Sequence, residues 1–138
     1  MINNEKIILI SSILLLVSMP ANAKRMFAEA EYQNYWCSSH NGITEYELKD
    51  FTRVDCLTET QAIEFDFANK WAECIGQSLH YGLMTHKQPA CVLIMERGNK
   101  DLKYLKRLRR VAYKKGIATY TMKPDVLLKQ KLLNELAK

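Results

Sequence analysis

The chain has 138 residues, of which 48% are hydrophobic and 25% charged, and its formal net charge is +5 at pH 7. That length supports one domain with a single core and excludes a two-domain arrangement. The charge is divided, because residues 24–86 carry 5 Lys or Arg and 10 Asp or Glu, whereas residues 87–138 carry 14 and 4. An acidic half joined to a basic half suits a protein that holds a metal ion beside a polyanion, although a solvated basic helix explains the same counts.

The first 23 residues have the pattern of a secretory signal. Lys6 precedes an apolar run over 7–19, and the following Pro-Ala-Asn-Ala ends in an A-x-A cleavage motif at Ala23. The run is shorter than the roughly 20 apolar residues of a membrane-spanning helix, which favours cleavage over an uncleaved anchor. We therefore predict a signal peptide over 1–23, a single α/β domain over 24–138, and a periplasmic or secreted protein with no membrane contact after cleavage.

Hydrophobic periodicity predicts an α/β domain after the signal. Apolar positions at helical or alternating spacing, bounded by turn signals such as Asn41-Gly42, define the elements. In chain order these are a helix over 24–37, strands over 43–48, 51–57 and 62–67, a helix over 68–84, a strand over 90–95, a helix over 101–115, a strand over 117–122 and a helix over 124–136. A meander followed by right-handed crossovers predicts a mixed central β-sheet flanked by helices.

The sequence contains four cysteines, at Cys37, Cys56, Cys74 and Cys91. Export into an oxidising compartment permits disulfides, and four cysteines allow three complete pairings, among which the spacing does not choose. The absence of a C-x-x-C motif disfavours a thioredoxin-like redox site. Cys37 and His40 supply at most two of the four ligands that a structural zinc site needs. Structural disulfides or buried thiols are therefore favoured.

Two acidic residues on neighbouring predicted strands carry the main functional signal. Asp55 lies on the second strand, and Glu64 follows nine positions later on the third. A tight hairpin places such residues side by side on one face of the sheet. Two carboxylates at that distance repel each other unless a cation lies between them, and Mg²⁺ (or Mn²⁺) prefers such oxygen ligands. The pair predicts a divalent metal site that activates water for attack on a phosphate, with the solvated face of an edge strand as the alternative.

These residues resemble a known nuclease superfamily. An Asp, a short spacer, Glu-x-Lys and then a helix with Gln-x-x-x-Tyr are typical of PD-(D/E)xK nucleases, and this chain has Asp55, Glu64, Gln77 and Tyr81. The resemblance covers 31–122 and implies a restriction-endonuclease-like core of helix, three-strand meander, helix, strand, helix, strand and helix. It also implies a metal-dependent endonuclease that hydrolyses DNA phosphodiesters.

The resemblance implies a role for each matching residue. Asp55 and Glu64 match the metal-binding carboxylates, and Glu31 is a weaker match to an acidic residue that some members carry on the first helix. Gln77 and Tyr81 match the accessory residues of the helix that follows the metal-binding strands. Gln77 is thereby expected to steady the active site.

The chain departs from the superfamily pattern at Asp66, where Lys is expected two positions after the Glu. Asp66 adds a third carboxylate that is able to bind the metal, but it supplies no positive charge to orient the attacking water. Lys70 is the predicted replacement, because positions 70, 77 and 81 share one helical face. The predicted catalytic residues are Asp55, Glu64, Asp66, Lys70 and Gln77, and the predicted metal ligands are Asp55, Glu64, Asp66 and Glu31.

The third predicted helix carries seven cations around an apolar stripe. Such a helix suits contacts to the phosphates of a nucleic acid, which fix its position without reading its sequence. A helix lying on a membrane surface is an alternative, although the stripe contains neither Trp nor Phe. The predicted nucleic-acid-binding residues are Lys103, Lys106, Arg107, Arg109, Arg110, Lys114 and Lys115.

The sequence leaves three functions open. The first is an exported, Mg²⁺-dependent endonuclease that acts on DNA. The second is a nuclease-fold protein that has lost cleavage and serves as a nucleic-acid-binding or assembly module. The third is an unrelated, secreted, disulfide-stabilised binding protein whose basic helix meets an acidic partner. A serine hydrolase has no support, because the chain has no G-x-S-x-G motif.

Overall fold

Residues 24–138, which the computed structural model describes, contain four α-helices and five β-strands. The predicted signal peptide, residues 1–23, lies outside the described residues. The elements are α1 (Glu29–Ser39), β1 (Ile43–Glu47), β2 (Arg53–Leu57), β3 (Gln61–Phe67), α2 (Trp71–Thr85), β4 (Gln88–Ile94), α3 (Leu102–Lys115), β5 (Ala118–Met122) and α4 (Asp125–Leu136). Short 3-10 turns over Ala68–Lys70 and Gly98–Asp101 precede α2 and α3. This order agrees with the order that periodicity predicts.

The strands form one mixed sheet with the spatial order β1-β2-β3-β4-β5. β1, β2 and β3 are antiparallel neighbours, as the predicted meander requires, whereas β3, β4 and β5 run parallel to one another. Parallel neighbours need crossover connections, and α2 and α3 provide them. The prediction of a mixed central sheet flanked by helices is therefore confirmed.

Each face of the sheet carries its own apolar core. α1 and α4 cover one face, where Tyr32 packs in the same cluster as Phe65. α2 and α3 cover the other face, where Leu108 is fully buried. Side chains alternate along a strand, so Phe65 faces α1 while its neighbours Glu64 and Asp66 face α2. This alternation brings two acids of β3 under a helix rather than into open solvent.

The pairing between β2 and β3 ends early, at Cys56 and Ile63, whereas β3 pairs with β4 along its whole length. Beyond that point, side chains take over the role of the backbone ladder. The Phe65 N–H donates to Asp55 Oδ2 at 2.7 Å, and Gln33 of α1 donates from Nε2 to the backbone oxygen of Asp55 at 2.6 Å. These two hydrogen bonds therefore hold Asp55 in a fixed position between the strands.

Two disulfides tie helices to the sheet, one on each face. Cys37–Cys56 joins α1 to β2, and Cys74–Cys91 joins α2 to β4, with Cα–Cα distances of 5.7 and 5.9 Å. This pairing resolves the choice that the sequence left open. It also removes Cys37 from any zinc site with His40.

The segment before α1 is not helical, although the sequence predicts helix from residue 24. The Phe27 N–H donates to Glu96 Oε1 at 3.1 Å, and the Tyr32 hydroxyl donates to the same oxygen at 2.9 Å. Arg25 donates from Nη2 to Asn69 Oδ1 at 2.7 Å. The side chains of Glu96 and Asn69 accept these hydrogen bonds and hold the segment in place, so α1 begins later than predicted.

The last helix, α4, leaves most of its leucines in solvent. Leu127 is buried, but Leu128, Leu132, Leu133 and Leu136 are 51%, 56%, 51% and 76% exposed. The predicted amphipathic helix is present, yet most of its apolar stripe packs against nothing within residues 24–138. Across the same residues, none of the helices combines the length and the apolarity that crossing a membrane requires.

Gly42, between α1 and β1, packs directly against the first disulfide. A Cβ atom at this position would lie 2.6 Å from Cys37 Sγ and closer still to Cys56 Sγ. We predict that Gly42→Ala lowers the free energy of unfolding of the oxidised protein by about 1–3 kcal/mol, because a cross-linked sulfur has little room to move. Denaturant unfolding followed by circular dichroism measures the change.

Gly76→Ala is the matched control, because a Cβ atom at Gly76 meets nothing within 4 Å. Gly76 lies inside α2, so this change should raise stability by about 0.5–1 kcal/mol. In a Cys37→Ala/Cys56→Ala background the Gly42→Ala penalty should disappear. An equal penalty with and without the sulfurs would show that the disulfide is not its cause.

Candidate functional site

β3 delivers two acidic side chains to the face that α2 covers. Glu64 and Asp66 are 5% and 3% exposed. Extending the register of β2 and β3 by one position beyond Cys56 and Ile63 sets Asp55 opposite Glu64. The carboxyl groups of Asp55 and Glu64 lie within hydrogen-bonding reach of each other. The structure thus brings together the three acids that the sequence singles out on these strands.

This crowding raises the pKa of every acid in the cluster. Burial, followed by the negative charges of Asp55 and Asp66, raises the pKa of Glu64 to about 10. Burial also raises the pKa of Asp55 to about 7, against the hydrogen bond from the Phe65 N–H, which lowers it. Burial and the charge of Glu29 raise the pKa of Asp66 to about 7. At neutral pH the cluster therefore retains protons that isolated carboxyl groups would have lost.

Two carboxylate oxygens of the cluster lack a hydrogen-bond partner among residues 24–138. They are Glu64 Oε2 and Asp66 Oδ2, and both are buried. An unpaired buried oxygen of this kind is destabilising, and either a proton or a cation relieves it. Hard carboxylate oxygens fit Mg²⁺ or Mn²⁺.

The carboxylates are not arranged as a finished coordination shell. Within the described part of the chain, no three Asp, Glu, His or Cys side chains converge on a point where they would hold a metal ion. A cation in the cluster would therefore require the carboxylate groups to rearrange. The two oxygens that lack partners are the ones that no hydrogen bond would restrain during that rearrangement.

The amino group of Lys70 lies next to the acids. Its Nζ is 3.9 Å from Asp66 Oδ1 and 3.5 Å from Glu73 Oε2, and the side chain is 47% exposed. The charge of Asp66 is the main cause that raises the pKa of Lys70. Lys70 ends the 3-10 turn before α2, which carries it from the end of β3 to the edge of the cluster. A positive charge therefore stands beside Asp66, the position at which the sequence resemblance leads us to expect a lysine.

Gln77 and Tyr81 of α2 are joined to each other. The Tyr81 hydroxyl donates to Gln77 Oε1 at 3.2 Å. Tyr81 is buried, and burial followed by the charges of Glu64 and Asp55 raises its pKa. Its ring thus lies near the acids, while Gln77 is exposed and is linked to the cluster through Tyr81.

Glu31, a predicted metal ligand, lies outside the acidic cluster. Its Oε2 accepts from the Ala28 N–H at 2.9 Å, its Oε1 pairs with Lys131 Nζ at 3.1 Å, and these contacts lower its pKa. The acid of α1 that faces the cluster is Glu29, whose charge raises the pKa of all three clustered acids. Two positions along a helix correspond to a rotation of about 200°, so only one of these two glutamates is able to face the sheet gap.

Gln33 and Glu45 also belong to this site, and the sequence does not single them out. Gln33 is 5% exposed, and its Nε2 donates to Glu45 Oε1 at 2.7 Å as well as to the backbone of Asp55. Glu45 lies opposite Asp55 in the register of β1 and β2 and has a φ of 53°, which is uncommon for a residue with a side chain. The sequence signal for Gln33 was its four-residue spacing from Glu29, which places both residues on one helical face.

The seven cations of α3 that the sequence assigns to nucleic-acid binding are all exposed. The helix buries Leu105, Leu108 and Ala112 against the sheet, so its charged side faces solvent. α3 also contacts the 3-10 turn that carries Lys70. The basic helix and the acidic cluster therefore meet at that turn.

Three surface cavities in the described part of the chain lie away from the acids. One of them, with a volume of about 290 Å³, is lined by residues of β1, the turn after it and the end of α2, such as Tyr46, Leu48 and Met84. The other two are formed around α1 and the turns that follow it and precede β3.

Comparison of the chain with protein-family models, with curated proteins and with solved structures gives no match in any of the three. The proposed function therefore rests on the geometry of the acidic cluster.

The raised pKa values fix the sign of the pH dependence of stability. An acid whose pKa is higher in the folded than in the unfolded state destabilises the fold as the pH rises above its unfolded value of about 4. We predict that the metal-free protein loses stability between about pH 5 and pH 8, and that Glu64→Gln raises its melting temperature at pH 8 by several degrees. At pH 4.5 the same change should have little effect, because Glu64 is then protonated in the folded state.

Thermal unfolding in EDTA across this pH range measures the effect. Glu135→Gln makes the same chemical change on the exposed side of α4 and should leave the melting temperature unchanged at both pH values. If Glu64→Gln melts at or below the wild-type temperature at pH 8, Glu64 is not a source of electrostatic strain.

Proposed function

We propose that this chain is an exported nuclease of the PD-(D/E)xK type, with a restriction-endonuclease-like core, that hydrolyses DNA phosphodiesters with Mg²⁺ or Mn²⁺. The observation that carries the proposal is the crowding of Asp55 and Glu64 across the gap between β2 and β3, with buried oxygens of Glu64 and Asp66 left without partners. A divalent cation offsets carboxylate repulsion that otherwise has to be relieved by bound protons.

The residues of this chain divide the proposed reaction among them. A bound divalent cation supplies polarisation of a phosphoryl oxygen and a lower pKa for water. Asp55, Glu64 and Asp66 would hold that cation. Lys70 would orient the attacking water and offset the charge that develops on the phosphate. Tyr81, buried beside the acids, would keep α2 and therefore Lys70 in register with the cluster.

The fold and the cysteines support the same proposal. The order of elements agrees with the core that the resemblance implies, and the acids lie where β2 and β3 separate. Both disulfides suit the oxidising compartment that a secretory signal leads to. Export to the periplasm or the medium is therefore part of the proposed function.

A second candidate is a nuclease-fold module that binds DNA and no longer cuts it. Two observations favour it: Asp66 occupies the position at which the superfamily has lysine, and none of the three cavities found among residues 24–138 is lined by Glu64 or Asp66. The two candidates share the basic helix and differ in what the acids do. Metal binding and cleavage distinguish them.

We predict that saturating Mn²⁺ raises the melting temperature of the wild-type protein at pH 7.5. A ligand that binds only the folded state stabilises it by about 2.7 kcal/mol at 100 times its Kd. Glu64→Gln and Asp66→Asn should each abolish the shift, because each removes a charged ligand. Glu31→Gln, on α1 and paired with Lys131 outside the acidic cluster, should keep it. Equal shifts in all four proteins would place the ion elsewhere.

We predict that the purified exported protein nicks supercoiled plasmid DNA with Mg²⁺ or Mn²⁺ and not with EDTA. Glu64→Gln should lower the rate at least about 100-fold, and Lys70→Gln should lower it about tenfold or more while keeping the Mn²⁺-induced melting shift. Lys129→Gln on α4 is the charge-matched control. A protein that binds Mn²⁺ and DNA but leaves the plasmid intact would support the second candidate instead.

A further inference from the structure

Three cationic side chains surround one aromatic ring at the start of α3. Lys103 Nζ lies 4.9 Å from the centroid of the Tyr104 ring, and the guanidinium carbons of Arg107 and Arg97 lie 5.7 and 5.9 Å from it. Arg97 precedes α3 and was not among the cations that the sequence assigned to nucleic-acid binding. We name Arg97, Lys103, Tyr104 and Arg107 the Tyr104 cluster.

Arg97 is held in a fixed orientation by a buried acid. Asp101 is 1% exposed, and its carboxylate accepts from the Arg97 backbone N–H and from Nε at 3.0 Å and from Nη2 at 2.9 Å. The Arg97 side chain is nevertheless 35% exposed. The guanidinium is therefore oriented before any ligand arrives, which lowers the entropy lost when it binds one.

The charges of the cluster are not balanced by the acids that contact it. Asp101 offsets the charge of Arg97, and Tyr104 contributes only the attraction of its ring for Lys103 and Arg107. Cations that share one ring repel one another, and an anion placed among them relieves that repulsion. A guanidinium fork beside an ammonium suits a phosphate group.

The Tyr104 cluster lies at the start of α3, the helix that contacts the 3-10 turn ending in Lys70. Tyr104 and Trp71, the residue that follows Lys70, pack against the same apolar core. Lys114 and Lys115 lie at the far end of α3, which spans about 20 Å at 1.5 Å per residue. The cations of α3 are therefore not equivalent with respect to the acids.

We propose that the Tyr104 cluster is a subsite for a phosphate of the DNA backbone, next to the scissile position, and that Lys114 and Lys115 contact DNA only as part of a diffuse positive field. This inference rests on the proposed function. Within it, Arg97, Lys103 and Arg107 fix the register of the backbone so that an adjoining phosphate reaches the acids beside Lys70. The subsite reads no base, because phosphate contacts carry no sequence information.

The test is the salt dependence of binding of a fluorescent DNA duplex to the full exported protein in EDTA. Lys103→Gln/Arg107→Gln should weaken binding at least tenfold and reduce the slope of log K against log salt by about 0.9, since the subsite holds one phosphate. Lys114→Gln/Lys115→Gln should weaken it less than threefold. Lys129→Gln/Lys138→Gln removes two positive charges on and just after α4 and should leave binding unchanged. Circular dichroism confirms that each variant is folded.

The outcomes separate this inference from the proposed function. Equal losses for the two α3 pairs would overturn the subsite, while DNA binding and metal-dependent nicking would still stand. Absence of DNA binding by the wild type would overturn both. Binding to vesicles of phosphatidylglycerol and phosphatidylcholine that exceeds binding to the duplex, and that Lys103→Gln/Arg107→Gln abolishes, would assign the cluster to a lipid surface and overturn the DNA subsite.

Discussion

The opposition of Asp55 and Glu64 is the constraint on which the arrangement of the domain depends. Backbone pairing between β2 and β3 stops there, so the Asp55 side chain takes the Phe65 N–H, and Gln33 takes the carbonyl oxygen of Asp55. α1 and α2 close over the gap from opposite faces, and each is fastened by a disulfide. The fold thus holds two carboxyl groups close together, and burial, followed by neighbouring negative charges in the case of Glu64, raises the pKa of both.

Negative and positive side chains are also separated into two groups near the Asp55–Glu64 pair. Three acids of the first half of the chain, Asp55, Glu64 and Asp66, form the cluster at the strand gap, and seven of the 14 cations of residues 87–138 lie along the exposed side of α3. The two sets meet where the 3-10 turn ending in Lys70 contacts α3. Under the proposed function, the positive surface of α3 would bind a polyanion and position it beside the acidic cluster. A uniformly basic protein would bind the same ligand without orienting it.

Periodicity was sufficient to predict the element order, the mixed sheet and the alternation that sets Glu64 and Asp66 on one face, because these depend on local spacing. The disulfide pairing was not predictable, because it depends on which helices cover which face. Which of Glu29 and Glu31 faces the acids was not predictable either, because it depends on how α1 is rotated against the sheet. Gln33 was missed because its four-residue spacing from Glu29 does not show that it will be buried over a break in strand pairing.

The Glu96 attachment has a practical consequence for protein engineering. Because Glu96 and Asn69 anchor residues 25–27, anything joined ahead of Lys24 emerges within a few residues of Asn69 and Lys70. An amino-terminal affinity tag would lie close to Lys70 and would place its histidines near the carboxylates of the acidic cluster. A carboxy-terminal tag beyond α4 avoids this interference, so preparations intended for metal titration are better made that way.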